Sequence, residues 1–221
     1  MDLQKHLEFF DPINDIKAPV HVLGCGAIGS VLLEMFARLG MQEIHIYDFD
    51  IVEPANVANQ MFMQRHIGQP KETAVIEIMK MINPEIKVIA HGKYINQPLR
   101  GYIFLCVDNI DLRRQITTAQ KYNPYVLAVF DFRMRLTDAQ HYGADWSNEK
   151  MKDALLDTMA FSHAEAQAAT PINACGSTLS IAPTVRTIVS LGVTNFINFL
   201  KGKLIKKMIL VDTFHYMLDV F

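Results

Sequence analysis

The fold is decided by a short glycine turn, Gly24-Cys25-Gly26-Ala27-Ile28-Gly29, which joins two apolar segments. Residues 19–23 before it are short and apolar enough for a buried strand. Residues 27–39 after it repeat apolar side chains at helical spacing until Gly40. In such a strand–turn–helix unit the three glycines allow the tight turn, the approach of a phosphate and close helix–strand packing. The same spacing serves NAD, FAD, SAM and ATP, and some glycine turns bind nothing.

The chain beyond this turn alternates predicted strands with predicted helices. Strands are predicted over 43–47, 86–90, 102–107 and 125–130, and helices over 71–82 and 112–121. This alternation predicts an α/β fold, Rossmann-like, with a mostly parallel sheet and helices on both faces. The C-terminal half is predicted to extend the sheet with antiparallel strands over 133–142, 207–211 and 215–220, around a long helix over 177–201.

Length and composition indicate one domain over residues 1–221. Half of the 221 residues are apolar, which is enough for one substantial core, and no linker-like stretch interrupts them. Residues 143–173 are more polar and are predicted to form a covering or crossover segment. The net charge is −2 without a block of like charge, so neither nucleic acid nor a membrane surface is an expected partner.

The N-terminal residues, the longest apolar region and the cysteines indicate the cellular compartment in which the protein is expected. Residues 1–17 lack the basic and apolar regions of a secretory signal, so we expect a cytoplasmic protein. The longest apolar region, 179–200, contains polar side chains and predicts a buried helix instead of a membrane span. Cys25, Cys106 and Cys175 lie far apart and form no C-x-x-C pair, so neither a disulfide framework nor a structural zinc site is expected.

Four aspartates, Asp48, Asp50, Asp108 and Asp131, fall at or just past the ends of predicted strands. Ligands of parallel sheets bind beyond these carboxyl ends. Asp48 can accept hydrogen bonds from ribose hydroxyls, and Asp50 would face the same crevice, near a metal or a triphosphate. Two carboxylates are more than a dinucleotide requires, so this pattern favours ATP over a redox dinucleotide.

An ordered set of motifs resembles the superfamily of ubiquitin-activating enzymes, which includes the ThiF, MoeB and HesA adenylyltransferases. The motifs are Asp48-Phe49-Asp50-Ile51-Val52-Glu53, Asn56 with Gln60, Gly68-Gln69-Pro70-Lys71, Ile82-Asn83-Pro84 and Cys106-Val107-Asp108-Asn109. The similarity runs from about residue 20 to the C-terminus, as in a short form without the zinc cysteines of relatives. It implies a homodimer that uses ATP and Mg²⁺ to adenylate the C-terminal carboxylate of a small ubiquitin-like protein or peptide, with release of pyrophosphate.

The resemblance also implies roles for single residues. Asp48 would hold the ribose, Asn56 and Lys71 would contact the phosphates, and Asp108 would bind Mg²⁺. The remaining nucleotide-binding positions are Gly24, Gly26, Ala27, Gly29, Asp50 and Gln60. Attack of a carboxylate on the α-phosphorus places charge on phosphoryl oxygens, which a lysine and a magnesium ion can stabilise.

Each role has a simpler alternative. Lys71 can be a solvated residue at a helix start, although a cation there opposes the helix dipole. Asp108 can cap the helix that follows it. Asp48, Asn56 and Gln60 can be ordinary turn residues.

Asn59 departs from the family pattern, in which an arginine usually precedes the glutamine and stabilises the phosphates. In related phosphoryl chemistry such an arginine is worth on the order of a thousandfold in rate. Arg65 is one candidate replacement, although a solvated loop cation is its simpler interpretation. The other candidate cations are Arg133, Arg135 and Arg186. Residues 1–17 hold no counterpart of the arginine-rich N-terminal helix that many members have.

Cys175 lies at the predicted start of the long helix, where the helix dipole would favour a thiolate. It is therefore a candidate nucleophile, with a small buried apolar residue as the alternative. Two other functions stay open. One is a binding module of the same fold that turns ATP over weakly or not at all, as Asn59 suggests, and the other is an NAD-dependent oxidoreductase, as the glycine turn and Asp48 suggest.

Overall fold

Eight strands form one mixed sheet in the computed structural model, which describes residues 1–170 and 179–221. The strand order is β3-β2-β1-β4-β5-β6-β7-β8; the first five of these pair in parallel, and β6, β7 and β8 are antiparallel. This confirms the predicted α/β class and its antiparallel extension. The strands are β1 Val20–Leu23, β2 Glu43–Tyr47, β3 Lys87–Ala90, β4 Gly101–Leu105, β5 Val126–Arg135, β6 Asp138–Asp145, β7 Met208–Asp212 and β8 Met217–Val220.

The helices form two groups around this sheet. They are α1 Pro12–Asp15, α2 Ala27–Arg38, α3 Lys71–Ile82, α4 Ile110–Gln120, α5 Glu149–Asp157, α6 His163–Ala168 and α7 Ala182–Leu200. Helix α2 packs on α3 and α7, whereas α4 packs on α5 and α6. Every residue of β1 and β4 is buried, as expected for central strands covered on both faces. The strand order reverses beside β1, and in open parallel sheets ligands bind at such a point.

Four phenylalanines, from α2, β4, β5 and α7, pack against one another at the centre of the core. The ring of Phe104 stacks on Phe130 at 5.0 Å between centroids. Phe36 and Phe196 approach Phe104 edge-on, at 5.1 and 5.0 Å. Because edge-to-face and stacked rings add to simple area burial, this cluster holds α2 and α7 firmly on the sheet.

Several predicted bounds need correction in the C-terminal half. Residues 133–142 are not one added strand, because β5 continues to Arg135, turns at Leu136 with a φ of 50°, and returns as β6. Helix α7 begins at Ala182, since Pro183 suits the first turn of a helix and residues 179–181 are not helical. The last strand begins at Met217 instead of 215, because the chain turns at Tyr216 with a φ of 56°.

The segment 143–173, predicted to cover the site, begins inside the sheet. Residues 143–145 complete β6, and α5 buries Met151 and Leu155 against the core. Helix α6 lies beside α4, and residues 171–173 are outside the described residues. The first half of the segment is therefore part of the core, and a covering role for the remainder stays a prediction.

Helix α7 is the long apolar helix that the sequence predicts to be buried. Its Asn195 is buried, contacts the ring of His141 and donates a hydrogen bond to the backbone oxygen of Lys206 at 2.9 Å. Within residues 1–170 and 179–221, no helix is both long enough and apolar enough to pass through a membrane.

Candidate functional site

The three glycines of the turn have different surroundings. Gly24 has a φ of 97°, and a Cβ added there would lie 2.8 Å from backbone atoms of Cys106 and Val107. A Cβ on Gly29 would lie 1.8 Å from the backbone oxygen of Gly24. By contrast, nothing lies within 4 Å of a Cβ built on Gly26. Gly24 and Gly29 are thus required for packing, and Gly26 faces open space.

The first turn of α2 offers backbone donors beside Gly26. Gly26 is the N-cap residue and has no side chain to cap the helix, and the first helical hydrogen bond runs from Ser30 N to Gly26 O at 2.9 Å. The N–H groups of residues 27–29 have no acceptor within the described part of the chain. Unpaired N–H groups and the positive end of the helix dipole together favour an anion at this point.

Asp48 fixes the glycine turn to the end of β2. Its Oδ2 accepts a hydrogen bond from Cys25 N at 2.6 Å, and its Oδ1 accepts one from Asp50 N at 2.8 Å. Asp48 is therefore an ordered structural carboxylate and not a solvated turn residue. Each carboxylate oxygen has a second lone pair, so a ribose hydroxyl can still donate to it.

Lys71 is held beside Asp50 at the start of α3. Its Nζ lies 2.8 Å from Asp50 Oδ2, and its backbone N donates to Asp50 O at 2.9 Å. A further hydrogen bond of 2.9 Å, from Val52 N to Gln69 O, closes the loop between them. Only 8% of Lys71 is exposed, which contradicts the alternative of a solvated helix-start lysine.

Glu72 organises the same edge of the sheet, although no sequence motif points to a functional role for it. Its Oε1 accepts hydrogen bonds from the backbone N of Asp48 at 3.2 Å, His91 at 3.2 Å and Gly92 at 2.9 Å. One carboxylate thus joins the ends of β2 and β3 to the start of α3. The only sequence signal was an acid in the first turn of a helix, which the dipole alone explains.

Asp108 follows β4 at the same edge as the glycine turn. The backbone N of Cys106 donates to Leu23 O at 2.8 Å, so the chain passes directly beside the turn before Asp108. Asp108 is exposed, and α4 is capped instead by Asn109, whose Oδ1 accepts from Leu112 N at 3.0 Å. The helix-cap alternative for Asp108 is therefore wrong.

A magnesium ion at Asp108 would need most of its ligands from elsewhere. No group of three or more His, Cys, Asp or Glu side chains suited to a metal occurs in residues 1–170 and 179–221. Mg²⁺ is commonly bound by one or two carboxylates, with substrate phosphates and waters completing an octahedron. A single exposed carboxylate beside an anion-binding helix end fits this pattern.

The amides of the 56–60 segment are only partly used by the fold. The Oδ1 of Asn56 accepts from Glu53 N at 2.9 Å, as a turn amide would. Asn59 ends a short 3₁₀ turn over Pro54–Ala58. The Oε1 of Gln60 is buried and lacks a hydrogen-bond donor among the described residues, so this segment retains an unsatisfied polar atom near the turn.

Two of the arginines that could replace the cation missing at Asn59, Arg65 and Arg135, form ion pairs elsewhere in the fold. Arg65 pairs with Glu77 at 3.0 Å. Glu77 lies six residues beyond Lys71 on α3, about 9 Å along the helix axis. Arg135 pairs weakly with Asp138 at 3.6 Å, next to the β5–β6 turn. The structure therefore does not bring Arg65 to the glycine turn.

Asp131 does not belong to the group of acids at the carboxyl edge of the sheet beside the glycine turn. It lies within β5, opposite Leu105, and is fully buried. Its carboxylate pairs with Arg113 from α4 and with Arg133, whose Nη2 is 2.6 Å away. Because both arginines are themselves largely buried, this cluster joins α4 to the sheet and engages Asp131 completely.

The cysteines within the described residues are packed and unreactive. Cys25 and Cys106 are buried, and burial raises the pKa of both thiols above the ordinary value. A thiol with a raised pKa is a poor nucleophile at neutral pH. Cys175, the candidate nucleophile, lies outside the described residues.

Comparison with known sequences identifies a family and several similar proteins. The profile described as the ThiF family matches residues 16–220. Ubiquitin-like modifier-activating enzyme 5 of Aedes aegypti is 29% identical over 119 residues, and that of Bombyx mori is 32% identical over 119 residues. Each alignment covers 45% of this chain and 30% of the relative, so the chain spans under a third of the length of these proteins.

Comparison with solved structures agrees on the fold. A selenomethionine crystal structure of PaaA aligns with a TM-score of 0.71 at 14% identity, covering 99% of this chain and 71% of that one. The crystal structure of E. coli MccB with ATP aligns with a TM-score of 0.67 at 18% identity, covering 93% and 63%. At such identities these likenesses establish the shared architecture alone.

Proposed function

Because the chain belongs to the ThiF family, we propose that it is an adenylyltransferase that uses ATP to activate the C-terminal carboxylate of a small ubiquitin-like protein or peptide. The single observation that carries this proposal is the buried Lys71, paired with Asp50, which Asp48 connects to Cys25 of the glycine turn. The similarity to a ubiquitin-like modifier-activating enzyme and to an MccB bound to ATP supports it.

In this proposal each pocket residue has its own role in one nucleophilic displacement at the α-phosphorus of ATP. An oxygen of the acceptor carboxylate attacks the α-phosphorus, the bond to the β-phosphate oxygen breaks, and pyrophosphate leaves with the electron pair. The N–H groups after Gly26 and the ammonium of Lys71 face the charge that develops on the phosphoryl oxygens. Asp48 orients the ribose, and Asp108 would hold Mg²⁺, which would supply positive charge to neutralise the phosphates.

The partners and the setting are part of the same proposal. The acceptor tail would enter beside the later part of segment 143–173, and the enzyme would act as a cytoplasmic homodimer. The β7–β8 ribbon offers apolar surface for association, with Phe214, Tyr216 and Phe221 each at least 60% exposed. Light scattering of the purified chain tests the dimer, for which a mass near 50 kDa is expected, about twice 25.1 kDa.

The test of the activity is exchange of labelled pyrophosphate into ATP, with a panel of glycine-ended peptides and Mg²⁺. Exchange is expected with at least one tail and should disappear in Asp108→Ala. Asp153→Ala is the matched control, because Asp153 is an exposed acid of α5 that pairs with Lys121, just after the C-terminal end of α4. Exchange that does not respond to the change at Asp108 would reject the assigned roles.

A second function is favoured by Asn59, namely a module that binds nucleotide and tail without turnover. It predicts ATP binding with no exchange for any tail, in both the natural chain and Asn59→Arg.

An NAD-dependent oxidoreductase is the third possibility, and it predicts a larger thermal shift with NADH than with ATP.

A further inference from the structure

We infer that Arg186 supplies the phosphate-binding cation that Asn59 does not, so that its guanidinium contacts the terminal phosphates of ATP. This inference rests on the proposed function, because it assigns a further residue to the same nucleotide pocket. It concerns the fifth residue of α7, which lies more than a hundred positions along the chain from the glycine turn.

A short chain of contacts connects Arg186 to the turn. Its Nη2 lies 3.7 Å from the sulfur of Met61, two residues after Asn59. The backbone N of Met61 donates to Ser30 Oγ at 3.1 Å, and Ser30 N donates to Gly26 O at 2.9 Å. The guanidinium therefore lies over the segment that would otherwise carry the arginine, next to the first turn of α2.

The N-terminal part of α7 faces the same edge of the sheet as the pocket. Leu136, at the turn after β5, forms a bridge with Ser180 just before α7. Since β5 runs parallel to β1 and β4, this turn lies on their carboxyl side. Helix α7 also packs directly on α2. Arg186 is thus at the correct end of its helix for a nucleotide on Gly26.

Arg186 differs from most arginines in having no carboxylate partner. Six of the eight arginines form ion pairs with Asp or Glu: Arg38, Arg65, Arg113, Arg114, Arg133 and Arg135. Arg186 forms no such pair in the described residues, and the sequence of 171–178 contains no acid. The one hydrogen-bond contact of its guanidinium among residues 1–170 and 179–221 is with a thioether, a weak acceptor that leaves most guanidinium donors available.

Arg100 also lacks a carboxylate partner, but it lies at the opposite edge. It stands immediately before β4, with its guanidinium 4.5 Å from the ring centroid of Tyr125. Arg100 therefore provides a matched control of equal charge, unpaired with any acid and remote from the pocket.

The charges at the pocket explain why another cation is needed. Lys71 contributes one positive charge, whereas Asp48, Asp50 and Asp108 contribute three negative ones, so these four side chains sum to −2. A triphosphate would enter a negative field, and Lys71 is already paired with Asp50. A planar guanidinium, which can bind a phosphate through two parallel N–H groups, offsets part of that charge.

Calorimetric titration of Mg²⁺–ATP and of AMP into the full chain tests the inference. Arg186→Gln should weaken ATP binding at least tenfold and change AMP binding less than twofold, because AMP lacks the terminal phosphates. Arg186→Lys should retain part of the ATP affinity, and Asn59→Arg added to Arg186→Gln should restore it. Arg100→Gln should leave both ligands unaffected. The melting temperature of each variant is measured first, and Arg186→Lys replaces Arg186→Gln if the latter does not fold.

The outcomes separate the two claims. If the natural chain binds ATP and Arg186→Gln binds it within twofold, the role of Arg186 is wrong and the proposed function stands. Equal loss of ATP and AMP in Arg186→Gln would also overturn this role, since it would indicate a structural effect. If the natural chain binds no ATP, the proposed function and this inference both fail.

Discussion

The ammonium of Lys71 lies 2.8 Å from the carboxylate of Asp50, in a pair of which the lysine is 8% exposed and the aspartate side chain 53% exposed. Desolvating a lysine is costly unless a partner compensates, and a half-exposed carboxylate compensates only in part. Such a pair holds the cation in place at the glycine turn and leaves it able to accept a second anionic partner.

Lys71 should therefore be required for tight nucleotide binding. Replacing it with glutamine removes a charge-assisted contact of about 1.5–3 kcal/mol, so the ATP dissociation constant should rise about 10- to 100-fold. Lys80→Gln is the matched control, because Lys80 is an exposed lysine in the last turn of the same helix. Titration calorimetry provides the measurement, and equal effects of the two changes would contradict the prediction.

Gly26→Ala should lose ATP affinity, whereas Gly29→Ala should lose stability. A methyl on Gly29 meets the Gly24 oxygen at 1.8 Å, so unfolding in urea should show a loss of about 3 kcal/mol or more. A methyl on Gly26 meets nothing, so its stability should change by less than about 1 kcal/mol. ATP affinity should nevertheless fall about tenfold in Gly26→Ala, because the phosphate loses its close approach to the backbone donors. Unchanged ATP affinity in Gly26→Ala would show that no phosphate binds there.

Asp131 should be a stability residue. Asp131→Asn leaves the buried Arg113 and Arg133 without their counter-charge, which should cost about 3–5 kcal/mol in the free energy of unfolding. Asp138→Asn removes an exposed pair with Arg135 at 3.6 Å and should cost less than about 1 kcal/mol. Similar urea midpoints for the two variants would contradict the buried-cluster account.

Acid should destabilise the fold through its buried histidines. Burial lowers the pKa of His141 to about 4, and burial with the neighbouring His45 and His91 lowers the pKa of His21 to about 4. An unfolded histidine binds its proton near pH 6.5, so the unfolded state gains protons first as the pH falls. The free energy of unfolding is therefore unaffected by protonation of these histidines above pH 6.5. It decreases as the pH falls toward 4, by about 3 kcal/mol for each histidine.

His141→Gln tests the contribution of one of these two histidines to the pH dependence. The free energy of unfolding is measured in urea at pH 7 and pH 4.5 for both proteins. The variant should lose less stability between the two pH values than the natural chain, whatever its stability at pH 7. An identical decrease in both would show that His141 does not contribute.

The sequence predicts those features that depend on local periodicity. Strand β2 and helix α3 have the predicted bounds, Glu43–Tyr47 and Lys71–Ile82, because the apolar spacing in each is regular and a Pro or Asn marks the helix ends. The packing roles of Gly24 and Gly29 likewise follow from the spacing of the turn.

Features that depend on distant partners could not be predicted in this way. The apolar run before Asp131 predicts a place among the site acids, but the two arginines that pair with Asp131 come from α4 and from its own strand. Glu72 joins three segments through one oxygen, a role that no local pattern reports. Arg65 follows the motif closely in sequence, yet its guanidinium pairs with Glu77 of α3.

Gly26, Asp48, Lys71 and Asp108 should all contact one bound nucleotide. A crystal structure with Mg²⁺ and a non-hydrolysable ATP analogue shows whether they do. The expected result is the ribose against Asp48, the phosphates between the N–H groups after Gly26 and the ammonium of Lys71, and the metal on Asp108. A nucleotide bound with its phosphates out of reach of both Gly26 and Lys71 would contradict it.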